Sequence, residues 1–238
     1  MLSIGDLKRL REAYSVYSDV SLNEALRQIG DPASEAIVDF AVRQMSQSNR
    51  NVRVLSLRVL AHQRGEEAMR GVLAGLHDER RRVCAVAIQA STNYLAYEDV
   101  VVRLEAIARD KGQKRKLRRR ALSMLAGDEG RLRGDVTPAV TAALRRLMME
   151  SEYRFAIVFG LVRLALTARV RALLEEFARS VDEQERRMAE RALLGERVVH
   201  IDGYAADEAM QRRIMERCEL AHGRMYYWLP REDIATPL

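Results

Sequence analysis

A pattern that returns at a nearly constant interval constrains this chain more than any single motif. The stretch Val52-Arg53-Val54-Leu55-Ser56-Leu57-Arg58-Val59-Leu60-Ala61 has helical period: Val52, Leu55 and Val59 share one side, and Leu57, Leu60 and Ala61 widen the stripe. Similar stretches begin at 21, 83, 117, 153 and 186, so the spacings along the chain are 31, 31, 34, 36 and 33 residues. Second amphipathic segments lie between them, at Ser34–Met45, Glu66–Leu76, Asp99–Ala108, Val136–Met149 and Ala168–Ala178. The unit is helix, turn, helix, turn. One such pair cannot bury its own apolar stripe, so neighbours must stack. The expected fold is therefore all-α, a solenoid of about six helical pairs over residues 1–195.

Turn chemistry and composition agree with that expectation. Gly30-Asp31-Pro32 ends one helix and starts the next. Asp78 and Asp182 are candidate N-caps, and Asp110-Lys111-Gly112 and Gly127-Asp128-Glu129-Gly130 read as loops. Four Pro and thirteen Gly are too few for a turn-rich all-β protein. Four Phe and one Trp leave the core to Leu, Val, Ile, Ala and Met. The longest apolar stretch, Phe155 to Val162, ends at Arg163, well short of the roughly 18 residues that a spanning helix needs. The charged N-terminus shows no signal-peptide pattern, and two cysteines, Cys84 and Cys218, cannot make a disulfide framework. A reducing cytoplasm is the expected setting.

Leu26-Arg27-Gln28-Ile29-Gly30-Asp31-Pro32, and Val52-Arg53 with the apolar positions after it, resemble HEAT repeats, particularly the short type of bacteria and phycobilisome lyases. The resemblance covers roughly residues 2–195. It implies a right-handed solenoid with the first helix of each pair on the convex side and the second on the concave side. It also implies that the repeated Arg, at Arg53, Arg118, Arg154 and Arg187, pairs with an Asp of a neighbouring turn. Leu22 and Cys84 interrupt that series. HEAT-like alkylpurine DNA glycosylases are similar in size, repeat number and inner charge, but they use Trp and a catalytic Asp in the groove. Here the one Trp, Trp228, lies beyond the repeats, and the central second helices hold no Asp. Bilin lyases are similar at the level of the repeat alone, with no catalytic residue to carry over.

Charge divides between the two helix sets. In the second to fourth units the first helices sum to −4 and the second helices to +10, within a chain whose net charge is +6. Arg accounts for 36 of the 40 basic residues, and its planar fork suits phosphate and carboxylate. The expected partner-binding face is Arg53, Arg58, Arg81, Arg82, Lys114, Arg115, Arg118 and Arg119. It would attract an acidic protein segment or a nucleic acid. The bland alternatives are an internal Arg–Asp ladder for Arg53 and Arg187, and a solvated face for Lys114 to Arg120. The leading expectation is a non-catalytic interaction module with a protein partner and no membrane contact. The alternatives are a nucleic-acid-binding protein, or an accessory subunit or lyase-type enzyme.

No catalytic residue, cofactor or metal is indicated. Cys218 and His222 share a helix face if 206–221 is helical, with His200 and Asp202 of the preceding loop as candidates to complete a zinc site; a half-buried Cys and a surface His is the favoured reading. His62 and His77 stand at helix ends, where the helix dipole favours a cationic ring. After Gly195 the repeat breaks. Residues 196–238 are expected to hold an extended segment at Val198–Gly203, a capping helix over Ala206–Ala221, and an aromatic run. That run, Tyr226, Tyr227 and Trp228, either folds back on the repeats or serves as a docking tail.

Overall fold

The computed structural model describes residues 8–9, 12–13, 35–127, 136–199, 218–221 and 224–230. The expected first pair, the helix from Ser21 and the Gly30-Asp31-Pro32 turn, lies outside them. Ten α-helices with complete bounds are described: α1 (Glu35–Gln44), α2 (Arg50–Leu60), α3 (Glu66–Leu76), α4 (Arg81–Ala90), α5 (Glu98–Arg109), α6 (Arg115–Ala126), α7 (Pro138–Met148), α8 (Ser151–Leu161), α9 (Ala168–Phe177) and α10 (Glu183–Leu193). The expected segments and the observed helices agree to within a few residues, because the apolar period that marks them is local.

The chain divides into two compact units, 1–125 and 126–238. In the first, α1 packs on α2 and α3, α2 on α3 and α4, and α3 on α4 and α5. In the second, α8 packs on α7, α9 and α10, and α9 packs on α7 and α10. Contacts to the nearest and next-nearest helix are what stacked helical pairs must make.

In the first unit the core is Leu55, Leu57 and Leu60 of α2 against Val72 and Leu76 of α3, Ala87 and Ile88 of α4 and Leu104 of α5, all at most 2% exposed. Each such Leu or Ile stabilises by roughly 1.5–3 kcal/mol. Gly75 of α3 lets the helices approach: a Cβ there would lie 2.7 Å from Leu57 Cδ2 and 2.9 Å from Ala87 Cβ. In the second unit Val140, Leu144 and Leu147 of α7, Ile157 and Leu161 of α8, and Leu173, Leu174 and Phe177 of α9 form the core.

Caps set the start of several helices. Asn49, Thr137, Thr167 and Asp182 each accept a backbone N–H of the first turn of α2, α7, α9 and α10. Asp182 is the cap that its position implies. Asp78 instead sits two residues before the N-cap, Arg80, and accepts the Arg80 N–H at 2.8 Å.

The second unit ends in a three-stranded antiparallel sheet, β1 (Glu196–Val199), β2 (Cys218–Ala221) and β3 (Arg224–Pro230), in the order β1-β3-β2. Gly195, at φ +94°, ends α10 and redirects the chain into β1. The extended segment begins earlier than expected, at Glu196. The expected capping helix does not reach Ala221: Cys218–Ala221 is a strand, its register running from Cys218↔Tyr227 to Ala221↔Arg224. Residues 206–217 of that helix lie outside the described residues. The physical reason for the strand at Cys218–Ala221 is nonlocal pairing with an aromatic-rich β3.

Candidate functional site

The second helices of the pairs, α2, α4, α6, α8 and α10, share one internal device. The fourth residue of each bonds a backbone carbonyl of the preceding first helix or of the turn after it. Arg53 Nη1 donates to Gln47 O at 2.6 Å, and Arg118 Nε to Ala108 O at 3.0 Å. Arg154 Nη1 donates to Met148 O at 3.2 Å, and Arg186 Nη1 to Ser180 O at 3.1 Å. Cys84 takes this place in α4, its thiol 3.7 Å from Leu76 O. A thiol is a weak donor, and Arg103 of α5 also donates to Leu76 O, at 3.2 Å. Ala108 O, Leu76 O and Met148 O lie in the last turn of the previous helix and Gln47 O and Ser180 O in the turn after it, where no further helical N–H follows to bond them.

Two of these arginines also reach the next repeat. Arg53 Nε lies 2.7 Å from Asp78 Oδ2, with both side chains nearly buried. Arg154 Nη2 lies 2.8 Å from Glu185 Oε2, and Arg154 also stacks on the Phe177 ring, 5.0 Å from its centroid. Glu185 in turn accepts the Ser180 hydroxyl at 2.6 Å. The pairing with a neighbouring turn thus holds at Arg53. The ladder residue of α10 is Arg186, not Arg187: Asp182 caps the helix one residue earlier than the repeat spacing implied.

The far end of α2 is closed by the next pair. Tyr94, fully buried, places its hydroxyl 2.5 Å from Leu60 O and 2.9 Å from Gln63 O, and Asn93 Nδ2 donates to Ala61 O at 2.7 Å. Burial pushes the Tyr94 phenol up to about 12. Cys84 is likewise free and buried, and burial pushes its thiol up to about 11. Tyr94 is therefore a packing residue.

What remains outward on the second helices differs from what is internal. Of the eight residues expected to form a binding face, Arg53 and Arg118 are turned into the ladder. Arg58 is half-buried, its pKa lowered by burial and then by the charge of Arg82 on the adjacent helix. Arg81, Arg82, Lys114, Arg115 and Arg119 are exposed, with Arg50 and Lys116 beside them. Arg50 escapes a reading that starts the repeat at Val52, because nothing in the apolar period marks where the helix begins.

The helices α2 and α4 run side by side in the same direction, and the C-terminal ends of α4 and α6 meet. Arg53, in the first turn of α2, pairs with Asp78 just before α4. At the opposite end Thr92, just past α4, donates to Met124 Sδ near the end of α6. The N-terminal turns of α2 and α4 therefore lie at one edge of the first unit. None of the three carries a single Asp or Glu, and their first turns hold Arg50, Arg81, Arg82, Arg115 and Lys116. The first helices α1, α3 and α5 behave oppositely. Each has an acidic residue in its first turn, and Arg43, Arg70 and Arg109 pair with Asp39, Glu66 and Glu105 one turn away. Cations at a helix N-terminus oppose the macrodipole, so the second helices of this unit break a local rule that their neighbours obey.

The other sequence candidates fall elsewhere. His77 caps the end of α3, but burial and then Arg103 lower its pKa, so the ring favours the neutral form rather than the cation expected there. Cys218 starts a strand, so the helical pairing with His222 does not apply. His200, Asp202 and His222 lie outside the described residues, and no group of three metal-ligating side chains occurs among those described. The aromatic run is strand β3, not a free tail: Tyr227 pairs with Val199 and Cys218, Trp228 with Val198, and Tyr226 with Glu219. No described helix is long and apolar enough to cross a membrane.

No model of a known protein family matches the chain, and no curated protein matches it in sequence. Among solved structures it is similar to an engineered protein of the Northeast Structural Genomics Consortium, with TM-score 0.39 and 15% identity over 77% of this chain and 88% of that one. It is also similar to a designed armadillo repeat protein, with TM-score 0.35 and 16% identity over 78% of this chain and 98% of that one. The chain is a helical-repeat protein. Its own helix-to-helix contacts carry that statement, since α1 to α3 and α7 to α10 meet their nearest and next-nearest neighbours.

Proposed function

We propose that this protein is a non-catalytic interaction module of HEAT-like type, which binds an anionic macromolecule on the second helices of its first unit. The observation that carries the proposal is that three second helices of one unit, α2, α4 and α6, have cationic first turns and no carboxylate. That arrangement costs helix stability at each N-terminus, and a bound polyanion would offset the cost. Arg53 and Arg118 support the face from within by fixing the helix starts, and Arg81, Arg82, Lys114, Arg115 and Arg119 meet the partner. An acidic protein segment and a nucleic acid share the electrostatics on which this reading rests.

Fluorescence anisotropy tests it with two labelled polyanions, a 20-residue poly-glutamate and a 20-base-pair DNA, titrated with the full chain at 50 mM salt. At least one should bind, and Arg81→Glu/Arg82→Glu/Arg115→Glu/Lys116→Glu should abolish that binding with the helical circular dichroism unchanged. No binding of either polyanion at 50 mM salt would overturn the proposal.

A further inference from the structure

The basic face of the first unit has a second property, which concerns what it lacks. Interfaces between proteins are anchored by a desolvated apolar or aromatic centre, and the charged rim around it adds little affinity. On α4 and α6 the partly exposed residues other than cations are Ala85, Val86, Gln89 and Ser123. Three of these are small or polar. Val86, like Val52 on α2, is a single half-buried valine, and valine is among the residues under-represented as interface anchors. The larger apolar residues of α2, namely Leu55, Leu57 and Leu60, are in the core. The aromatic residues described in this unit are Phe40, buried in α1, and Tyr94 and Tyr97, near the turn between α4 and α5. None projects from α2, α4 or α6, so no aromatic platform for unstacked bases is present on these three helices.

Charge with neither a large apolar anchor nor a stacking platform suits one kind of polyanion: a surface that is itself regularly charged and needs no side-chain pocket. We infer that the face formed by Arg81, Arg82, Lys114, Arg115, Lys116 and Arg119 takes the sugar–phosphate backbone of duplex nucleic acid, without reading its sequence. The inference deepens the proposed function and rests on it. Arginine forks and lysine ammonium groups bond phosphate oxygens, and the release of condensed counterions supplies most of the affinity. Adjacent helices, about 8–10 Å apart, would present successive groups of cations along the duplex. Contacts of this class position a protein without specifying bases.

The test compares ligands of equal charge on the full chain. Labelled 20-base-pair DNA and RNA duplexes of two unrelated sequences, a 40-nucleotide single strand and a 40-residue poly-glutamate peptide are titrated at 50, 100, 150 and 200 mM salt. The expected result has four parts. Duplexes bind at sub-micromolar concentration at 150 mM salt. The two sequences differ by less than about threefold. Affinity falls by on the order of 10³-fold between 50 and 200 mM salt, as about six phosphate contacts require. The single strand binds more weakly than the duplex, and the peptide at least tenfold more weakly. Arg81→Ser/Arg115→Ser should lower the salt slope by about two contacts, a change that loss of folding would not produce. If the acidic peptide binds as tightly as the duplexes or more tightly, the inference fails and the proposed function stands. If the single strand is preferred, the duplex assignment fails. If nothing binds, both fail.

Discussion

The two units are built with the same internal device and differ in what they show outside. In the first unit Arg53 bonds the turn before its own helix and pairs with Asp78. In the second, Arg154 does the same with Met148 O and Glu185. Outwardly, α2, α4 and α6 carry cations alone, whereas α8 carries Glu152 and α10 carries both signs, Glu183 and Glu190 with Arg187 and Arg191. Among the described residues, only the second unit shows aromatic side chains on such a helix, with the half-exposed Phe155 and Phe159 stacked at 6.4 Å and Arg163 over Phe159. The fourth position of each second helix serves packing, because a buried carbonyl at a helix end needs a donor.

The largest test of the shared device is Arg154→Met. Glu185 has only 6% of its side chain exposed, and losing its partner should cost about 3–5 kcal/mol in urea unfolding. Arg154→Met/Glu185→Leu should recover much of that loss. A cost below about 1 kcal/mol for the single variant would mean that the pair does not hold the repeats together. Arg53→Met asks the same question of the first unit.

Alkaline pH should weaken the first unit through Cys84 and Tyr94. Both protons are held more tightly in the folded chain, to about 11 and about 12, than at their ordinary values of 9.0 and 10.0. The unfolded chain therefore binds fewer protons above pH 9. The stabilisation is complete below that pH and is lost as pH rises through the folded values. The loss by about pH 10.5 should be about 2–3 kcal/mol, read as a fall in the urea midpoint, and Tyr94→Phe should shrink it.

Asp182→Ala removes the cap of α10 and should cost about 1 kcal/mol, with the loss confined to hydrogen-exchange protection in the second unit.

The smallest effect has the opposite sign and bears most directly on the contrast. Arg81→Glu and Lys116→Glu give α4 and α6 the acidic first turn that α8 and α10 already have. Each should raise stability by about 0.3–1 kcal/mol while weakening polyanion binding. Equal or lower thermal stability in both variants would remove the argument that these cations are retained against the helix dipole.

Much of the architecture was legible in the chain, and the misses have definite causes. Helices appear where the 3.6-residue apolar period appears, from Glu35–Gln44 to Glu183–Leu193. The concentration of cations on alternate helices could be read for the same reason, since helix identity and residue type are both local. The division within that set could not. Arg53 and Arg58 both precede apolar residues in one short stretch, yet Arg53 is fixed to Asp78 twenty-five residues away. The one-residue error at Arg187 arose where a cap rather than the apolar period set the helix start. The role of Arg103 in standing in for a ladder arginine had no sequence signal at all.

The amino-acid sequence by itself determined the repeat, the helix pairs, most helix ends and the helices that carry positive charge, because these depend on spacing and side-chain type within a few turns. Tertiary structure decided which of those charges are internal braces and which face outward. It also decided that Tyr94 closes the end of α2, and that Tyr226, Tyr227 and Trp228 form a central strand. Each of those outcomes depends on a partner distant in sequence, whether a carbonyl, a carboxylate or a neighbouring strand, and no local pattern names that partner.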